Sequence, residues 1–288
     1  TNSVATLKTT GEFKMTGGDV VVKGASTSGW ASVEADIFSI SGGTLVVGET
    51  AASRSLLAVR DRLDISGTGA MEIAGAGTGS GVIQLDGGNR AVTVGSGAVL
   101  RTAAGALVQA NGGAGSFTVA QGGTLDLAKG PLTLNNTLNS IQGDLVVGAG
   151  AGGMNTLTTN SATTVAGKDN IKLGSTVWTN WGNIAVNQEL IDTTTGALNI
   201  DGSETEWSYS NLVGEMTVAK SGNALTITRM AATALGSSGA LAGKLGSLGY
   251  DAEKFGDGAL GALSGVIAGM QGDPCGPCLR HPERALSE

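Results

Sequence analysis

One short motif near the end of the chain has the residue types and spacing for redox chemistry. Cys275 and Cys278, the only two cysteines among 288 residues, are separated by Gly276 and Pro277. This spacing is typical of a dithiol whose first thiolate is stabilised at a helix N-terminus. The motif follows Asp273-Pro274, no βαβ pattern surrounds it, and the chain stops soon after it. A disulfide loop, an adventitious metal site and tail sequence foreign to the domain therefore stay open beside a redox role.

Other catalytic constellations find little support in the residue types. The single histidine, His281, lies in the tail, so Ser-His-Asp sites and histidine-zinc sites are excluded from the body of the chain. The densest charged run spans residues 60–64. In a strand, Arg60, Arg62 and Asp64 would lie on one face and Asp61 on the other, which predicts a solvated face of mixed charge. We predict no catalytic residues.

Two glycine-rich stretches approach ligand-binding motifs without completing them. Gly112 to Phe117 place Phe117 where the calcium-binding nonapeptide needs Asp, so we expect no calcium site there. Gly148 to Gly153 match a dinucleotide-binding fingerprint after a strand. The residues that follow, Met154 to Thr159, do not have a helical pattern, so no helix N-terminus is available for a pyrophosphate. Neither stretch predicts a metal or a cofactor.

Glycine content and charge bound the fold class. The chain has 49 glycines, 4 prolines, 41% hydrophobic residues and a net charge of -7. Because glycine is unfavourable inside helices, most of these glycines belong in turns, while the hydrophobic content argues against disorder. No basic stripe is present, so nucleic acid is not expected as a partner. The remaining class is all-β with many tight turns.

A period of about 25 residues recurs along the first half of the chain. Each unit reads glycine, a small residue or Asp, and then a short apolar strand, and further short strands lie between the units. The spacings between marker glycines are 25, 26, 28, 26 and 20 residues. Stacked coils of this length enclose one continuous interior, which predicts a right-handed parallel β-helix, or β-solenoid. The markers are Gly18, Gly43, Gly69, Gly97, Gly123 and Gly143.

Alternation within the strands agrees with this fold. Leu125 and Leu127 would point inward while Thr124 and Asp126 point outward, and the segment 131–134 follows the same pattern, with Leu132 and Leu134 inward and Thr133 outward. An antiparallel β-sandwich or barrel is the alternative. Asn-Gly, a typical hairpin dipeptide, occurs once, at Asn111, which favours the solenoid.

The second half of the chain changes in composition. Aromatic residues crowd into a short stretch, and a last clear strand spans Ala224 to Arg229. Because a solenoid must protect its last coil, we interpret the aromatic residues as a C-terminal cap, with a sugar-stacking platform as the alternative. The tail is rich in Ala, Gly and Leu and predicts short helices over Met230–Leu235, 238–248 and 257–268. The cap residues are Trp178, Trp181, Trp207 and Tyr209.

The resulting organisation has three parts: β-helix coils over 1–154, a capping β region over 155–229, and a helical linker and tail over 230–288. The coils Gly42-Gly43-Thr44-Leu45-Val46-Val47, 122–127 (Gly-Gly-Thr-Leu-Asp-Leu) and 143–147 (Gly-Asp-Leu-Val-Val) precede the aromatic and helical parts. In this order they resemble the passenger region of a Gram-negative autotransporter over roughly residues 10–270. The resemblance implies type V secretion through a C-terminal β-barrel translocator that is missing from this chain, and a region 155–229 similar to an autochaperone cap.

The expected function is structural and interactive. A non-enzymatic passenger segment, mature or excised from a longer chain, would be displayed at the outer membrane or secreted, and would act in adhesion, in self-association or as a stalk. Its partners would be a host-cell or matrix surface, or another copy of the chain, bound by the repeated Thr, Ser and Asn side chains of the outer faces. The alternative is a β-helical polysaccharide hydrolase or lyase that uses outward carboxylates and the Trp cluster.

Overall fold

The computed structural model describes residues 4–23, 30–48, 54–75 and 81–232. Cys275, Cys278 and His281 lie outside the described residues, and so does the predicted helical tail from residue 233 onward. The described part consists mainly of short β-strands that follow one another around a common interior.

The strands fall into a longer N-terminal series and a shorter C-terminal series. The first series is β1 (Val4–Lys8), β2 (Glu12–Val22), β3 (Trp30–Val47), β4 (Arg54–Ile65), β5 (Ala70–Ala74), β6 (Gly81–Leu85), β7 (Ala91–Val94), β8 (Val99–Ala103), β9 (Ala106–Ala110), β10 (Gly115–Val119), β11 (Thr124–Lys129), β12 (Leu132–Asn135), β13 (Thr137–Ile141) and β14 (Asp144–Val147).

The second series contains the helical elements as well. It is β15 (Ala149–Gly150), β16 (Gly153–Met154), β17 (Leu157–Thr159), β18 (Thr163–Val165), a 3-10 turn (Lys168–Asn170), β19 (Ile171–Leu173), α1 (Ser175–Thr179), a second 3-10 turn (Trp181–Asn183), β20 (Glu189–Thr193), β21 (Leu198–Ile200), β22 (Glu206–Ser210), β23 (Gly214–Ser221) and β24 (Ala224–Ala232).

Parallel pairing between successive coils arranges the strands in three rows. Row A contains β1, the start of β3, the start of β4, β6, β9, β12, β17 and β20. Row B contains the start of β2, the middle of β3, the end of β4, β7, β10, β13, β18 and β21. Row C contains the ends of β2 and β3, then β5, β8, β11, β14 and β19. The predicted parallel β-solenoid is confirmed.

The repeat read from the marker glycines corresponds to the coil length. Thr44 pairs with Ala70, Ala70 with Val99, Val99 with Thr124, and Thr124 with Asp144, so successive units stack in one column of row C. Each marker glycine directly precedes its stacked residue, except that Gly97 lies two residues before Val99. The local pattern therefore located the corner at which the chain enters row C in every coil before that of β19.

The interior is built from columns of inward side chains. Leu125, Leu127, Leu132 and Leu134 are 0–1% exposed, as predicted, while the predicted outward residues Thr124, Asp126 and Thr133 are only partly buried. Row B has one inward column that runs through Phe38, Leu63, Val92 and Phe117. Phe117, which stands where the calcium-binding nonapeptide needs Asp, is completely buried in this core.

The same column becomes polar after Phe117. Asn139 lies directly below Phe117 and is 4% exposed, and Thr163 follows below it. The Asn139 Nδ2 donates hydrogen bonds to Thr159 Oγ1 at 2.8 Å and to Thr163 Oγ1 at 3.1 Å. Thr137 Oγ1 donates to Asn139 Oδ1 at 2.8 Å. The network satisfies the buried amide, which would otherwise be costly to remove from water.

Pairing changes at the C-terminal end of the solenoid. Parallel stacking continues past residue 154 through β20 and β21. The strands β22, β23 and β24 then form an antiparallel meander, and β24 also pairs with β20 in the antiparallel sense. The helical expectation for Met230–Leu235 is wrong for its first three residues, because Gly214 pairs with Ala232 and Met216 with Met230, which extends β24.

Candidate functional site

The predicted cap aromatics lie on two separate elements near the C-terminal end of the solenoid. The side chain of Trp178 comes from α1 and stacks on Trp181 of the following 3-10 turn, with ring centroids 5.4 Å apart and an interplanar angle of 14°. Trp207 and Tyr209 are two residues apart on β22, so their side chains point to the same side of that strand. All four pack against the hydrophobic core. Their role as a cap stays a prediction.

Three of these aromatic residues line one surface groove. The groove has a volume of about 410 Å³ and lies between β19, α1 and β22. Such a volume falls within the range of small-molecule sites, which combine apolar walls with a few polar groups. It is lined by Lys168, Asp169, Ile171, Lys172, Leu173, Trp178, Trp207, Ser208, Tyr209, Ser210 and Asn211. We call it the aromatic groove.

The charged residues of the aromatic groove are largely compensated. Lys172 Nζ lies 2.8 Å from Asp144 Oδ2, and Lys168 forms an ion pair with Glu204. The hydrogen bond to Glu204 raises the pKa of Lys168. Asp169 adds a further negative charge to the lining. The groove therefore carries no excess of positive charge that would attract a polyanion.

Tyr209 forms a hydrogen bond between two of the strands that line the aromatic groove. Its hydroxyl donates a hydrogen bond of 2.8 Å to the backbone carbonyl of Ile171, which ties β22 to β19. Burial raises the pKa of Tyr209 to about 12, and the neighbouring charge of Asp169 acts in the same direction. The hydroxyl is therefore a fixed structural donor at neutral pH.

We expect the folded state to lose stability above pH 10 through Tyr209. A tyrosine whose pKa is raised on folding stabilises the protein fully below its unfolded pKa of about 10, and this contribution disappears as the pH rises toward the folded pKa of about 12. The measurement is the melting temperature of the wild type and of Tyr209→Phe between pH 8 and pH 12. The difference in melting temperature between the two proteins should become smaller above pH 10. A difference that stays constant would contradict the assignment of this loss of stability to the hydroxyl of Tyr209.

Two further polar groups lie at the aromatic groove, the side-chain amide of Asn211 and the indole N–H of Trp207. Asn211 Oδ1 accepts hydrogen bonds from the backbone amides of Val213 at 2.8 Å and Gly214 at 3.3 Å, which fixes the amide plane. Trp207 Nε1 is buried and has no hydrogen-bond acceptor among the described residues. The Trp207 N–H lowers the pKa of Tyr209, but the two groups do not form a well-aligned hydrogen bond. An unsatisfied buried donor of this kind is rare and calls for a physical reason.

The charged run at residues 60–64 differs from its predicted arrangement. The corner between rows A and B falls here, between Val59 and Leu63, so the strict alternation is interrupted. Asp61 is consequently not on an opposite face: Arg62 contacts Asp61 at 3.3 Å and Asp64 at 2.9 Å, and all three side chains remain partly exposed. The expected solvated face of mixed charge is present, with different geometry.

The sequence motifs for cofactors and metals do not gather into sites in the described ranges. Residues 148–154 form a short antiparallel pair, β15 with β16, and no helix starts there. Within residues 4–23, 30–48, 54–75 and 81–232, no group of three or more His, Cys, Asp and Glu side chains could hold a metal ion. In the same residues, no helix has the length and apolarity to cross a membrane.

The outer face of row B carries a column of hydroxyl side chains. Thr93, Thr118, Ser140 and Thr164 occupy equivalent positions in four successive coils and are partly exposed. We call these four residues the hydroxyl ladder, with steps of about 4.8 Å set by strand spacing. The threonine hydroxyls make no side-chain hydrogen bond to another described residue, while Ser140 Oγ accepts a long one from Gln142. Sequence reasoning identified the residue types, but the alignment depends on coil register.

Comparison with protein families, with curated proteins and with solved structures gave no match. The described geometry defines the class of the chain as a parallel β-solenoid.

Proposed function

We propose that this chain is a non-enzymatic, surface-displayed segment that binds other surfaces or a second copy of itself through the hydroxyl ladder. The carrying observation is that Thr93, Thr118 and Thr164 lie in register on one face and retain their hydrogen-bonding capacity. Each hydroxyl can donate one hydrogen bond and accept others. A row of weak contacts with a fixed spacing gains strength through multivalency.

The surroundings of the ladder favour contact with a flat partner. Row B is a continuous sheet face. On each of its strands, the residue directly before a ladder residue points inward, so that Val92, Phe117 and Asn139 are buried in the core. A rigid core fixes the ladder before binding, so little conformational entropy is lost when a partner is bound. The resemblance to autotransporter passengers supports display at a Gram-negative cell surface, where a rod of this kind serves adhesion, self-association or spacing.

A triple substitution tests the role of the hydroxyl ladder. We expect Thr93→Val, Thr118→Val and Thr164→Val together to weaken binding at least tenfold, because valine keeps the shape and strand propensity but removes the hydroxyl. The measurement has two arms: binding to surfaces coated with matrix proteins, and self-association by analytical ultracentrifugation.

The matched control places the same three changes on other rows, as Thr124→Val, Thr133→Val and Thr158→Val. These residues face outward on row C and row A. Equal losses in both variants would show that the ladder has no special role. A wild-type chain that neither binds nor associates would leave spacing as the function and overturn the adhesive part of the proposal.

A polysaccharide hydrolase or lyase is the second candidate, and the observation in its favour is the aromatic groove. Hydrolysis of this type generally needs two carboxyl groups about 5–9.5 Å apart on either side of the scissile bond. Asp169 is the one carboxylate among the groove-lining residues. Release of new reducing ends from cellohexaose, abolished by Asp169→Asn, would support the enzyme.

A further inference from the structure

We propose that the aromatic groove is a binding site for an uncharged glycan chain of β-linked hexopyranose units, held without being cleaved. The proposal rests on the geometry at β19, α1 and β22 and not on the hydroxyl ladder of row B. The two can therefore fail separately.

The aromatic walls suit the flat apolar faces of such sugars. Trp178 is only partly buried and is backed by Trp181, whose stacking at 5.4 Å holds the exposed ring in place. Trp207 and Tyr209 contribute two more rings from β22, both partly buried. Because β-linked gluco-configured sugars carry their hydroxyls equatorially, their axial C–H faces are apolar and can lie on an aromatic ring, which adds contact area at low entropic cost.

Polar groups beside these rings match the sugar hydroxyls. The turn bonds of Asn211 Oδ1 hold its amide, and its Nδ2 makes no hydrogen bond to another described residue. Ser210 is exposed next to it. The buried Trp207 Nε1–H has no acceptor, and a hydroxyl at the groove wall would supply one after a small movement of the ring.

The charge distribution selects an uncharged ligand. Both lysines of the groove are engaged, Lys172 with Asp144 and Lys168 with Glu204, and Asp169 is negative. The five groups sum to one negative charge, so an anionic glycan or a nucleic acid would meet no free cation and one repelling carboxylate. A neutral ligand needs no free cation in the groove and is not repelled by the carboxylate of Asp169.

The test uses tryptophan fluorescence of the full chain titrated with cellohexaose and with hexa-N-acetylchitohexaose, both of which are uncharged. We expect a saturable shift of the emission with a Kd on the order of 0.1–1 mM, typical of a shallow site with few hydrogen bonds. Asn211→Asp keeps the acceptor that fixes the turn but exchanges the free donor for a negative charge, and it should weaken binding at least fivefold. Asn223→Asp, the same change at an exposed position in the β23–β24 turn, should leave the Kd unchanged.

A second variant separates binding from folding. Trp207→Phe keeps an aromatic ring but removes the unsatisfied N–H together with part of the indole, so the melting temperature should not fall by more than the loss of ring area explains, while the Kd should rise severalfold. No saturable signal with either hexasaccharide up to about 10 mM, ten times the weakest expected Kd, would overturn the proposal. So would equal weakening by Asn223→Asp, or saturable binding of heparin hexasaccharide in place of the neutral ligands.

Discussion

Gly97→Ala is expected to lower the free energy of unfolding by about 2–5 kcal/mol. Gly97 has a φ of +76°, a left-handed conformation that costs an L-residue with a Cβ about 1–2 kcal/mol. A Cβ at this position would also lie 2.5 Å from the carbonyl oxygen of Gly67 in the preceding coil. The neighbouring coils would have to separate, which adds an overpacking cost of about 1–3 kcal/mol.

Gly18→Ala is the matched control for this prediction. Gly18 occupies the equivalent corner in the first coil with a φ of +75°, but no atom lies within 4 Å of its Cβ position. The control should therefore show only the conformational cost of about 1–2 kcal/mol. Chemical denaturation followed by circular dichroism measures both variants. Equal losses of stability in the two variants would mean that the close approach to the preceding coil adds nothing to the conformational cost of replacing glycine.

This corner also shows why the sequence predicted so much of the solenoid. The glycine requirement is local, since it follows from a sharp turn and a close approach, and it recurs at other entries into row C, as at Gly43 and Gly123. The alternation of Leu125 and Leu127 with polar residues is local as well. Both signals can be read within a window of ten residues. Coil length and strand direction then follow from their spacing.

Where contacts depend on register over longer distances, sequence reasoning was less successful. The sequence predicts an uninterrupted strand at the corner around Arg60, because no glycine or proline marks that corner between Val59 and Leu63. Likewise, the long connection from β17 to β20 contains α1, which brings Trp178 next to β22. The crowding of aromatic residues was a usable signal for the aromatic groove. The contributions of Lys172 and Asn211 depend on pairings that no local pattern specifies.

The buried amide of Asn139 is the clearest feature that the alternation rule does not anticipate. An inward position in row B is apolar in four of the coils above it, from Phe38 to Phe117, so a polar residue here would be expected to face solvent. It is accommodated because Thr137, Thr159 and Thr163 surround it with hydroxyl groups from its own coil and the next. A polar residue can occupy the interior when its partners are supplied by neighbouring coils.

Asn139→Leu should destabilise the protein by about 2–3 kcal/mol, although it makes the interior more apolar. The Thr137 hydroxyl would lose its acceptor and stay buried, and unsatisfied buried groups cost about 1–3 kcal/mol. Thr159 and Thr163 would lose the bonds from Asn139 Nδ2 but keep contacts with the backbone carbonyl of Ser161. The loss should therefore come mainly from Thr137, with a smaller part from the change in shape.

The double variant Thr137→Val with Asn139→Leu distinguishes an unsatisfied hydroxyl from poor packing. Replacing both partners of a buried hydrogen bond by apolar groups of similar shape can be nearly neutral, so the double variant should regain most of the stability and lie within about 1 kcal/mol of the wild type. Chemical denaturation of the four proteins of this cycle gives the coupling energy. If the double variant were as unstable as Asn139→Leu alone, leucine would simply not fit between Phe117 and Thr163. The volume of the side chain at position 139, and not its hydrogen bonds, would then explain why asparagine occupies it.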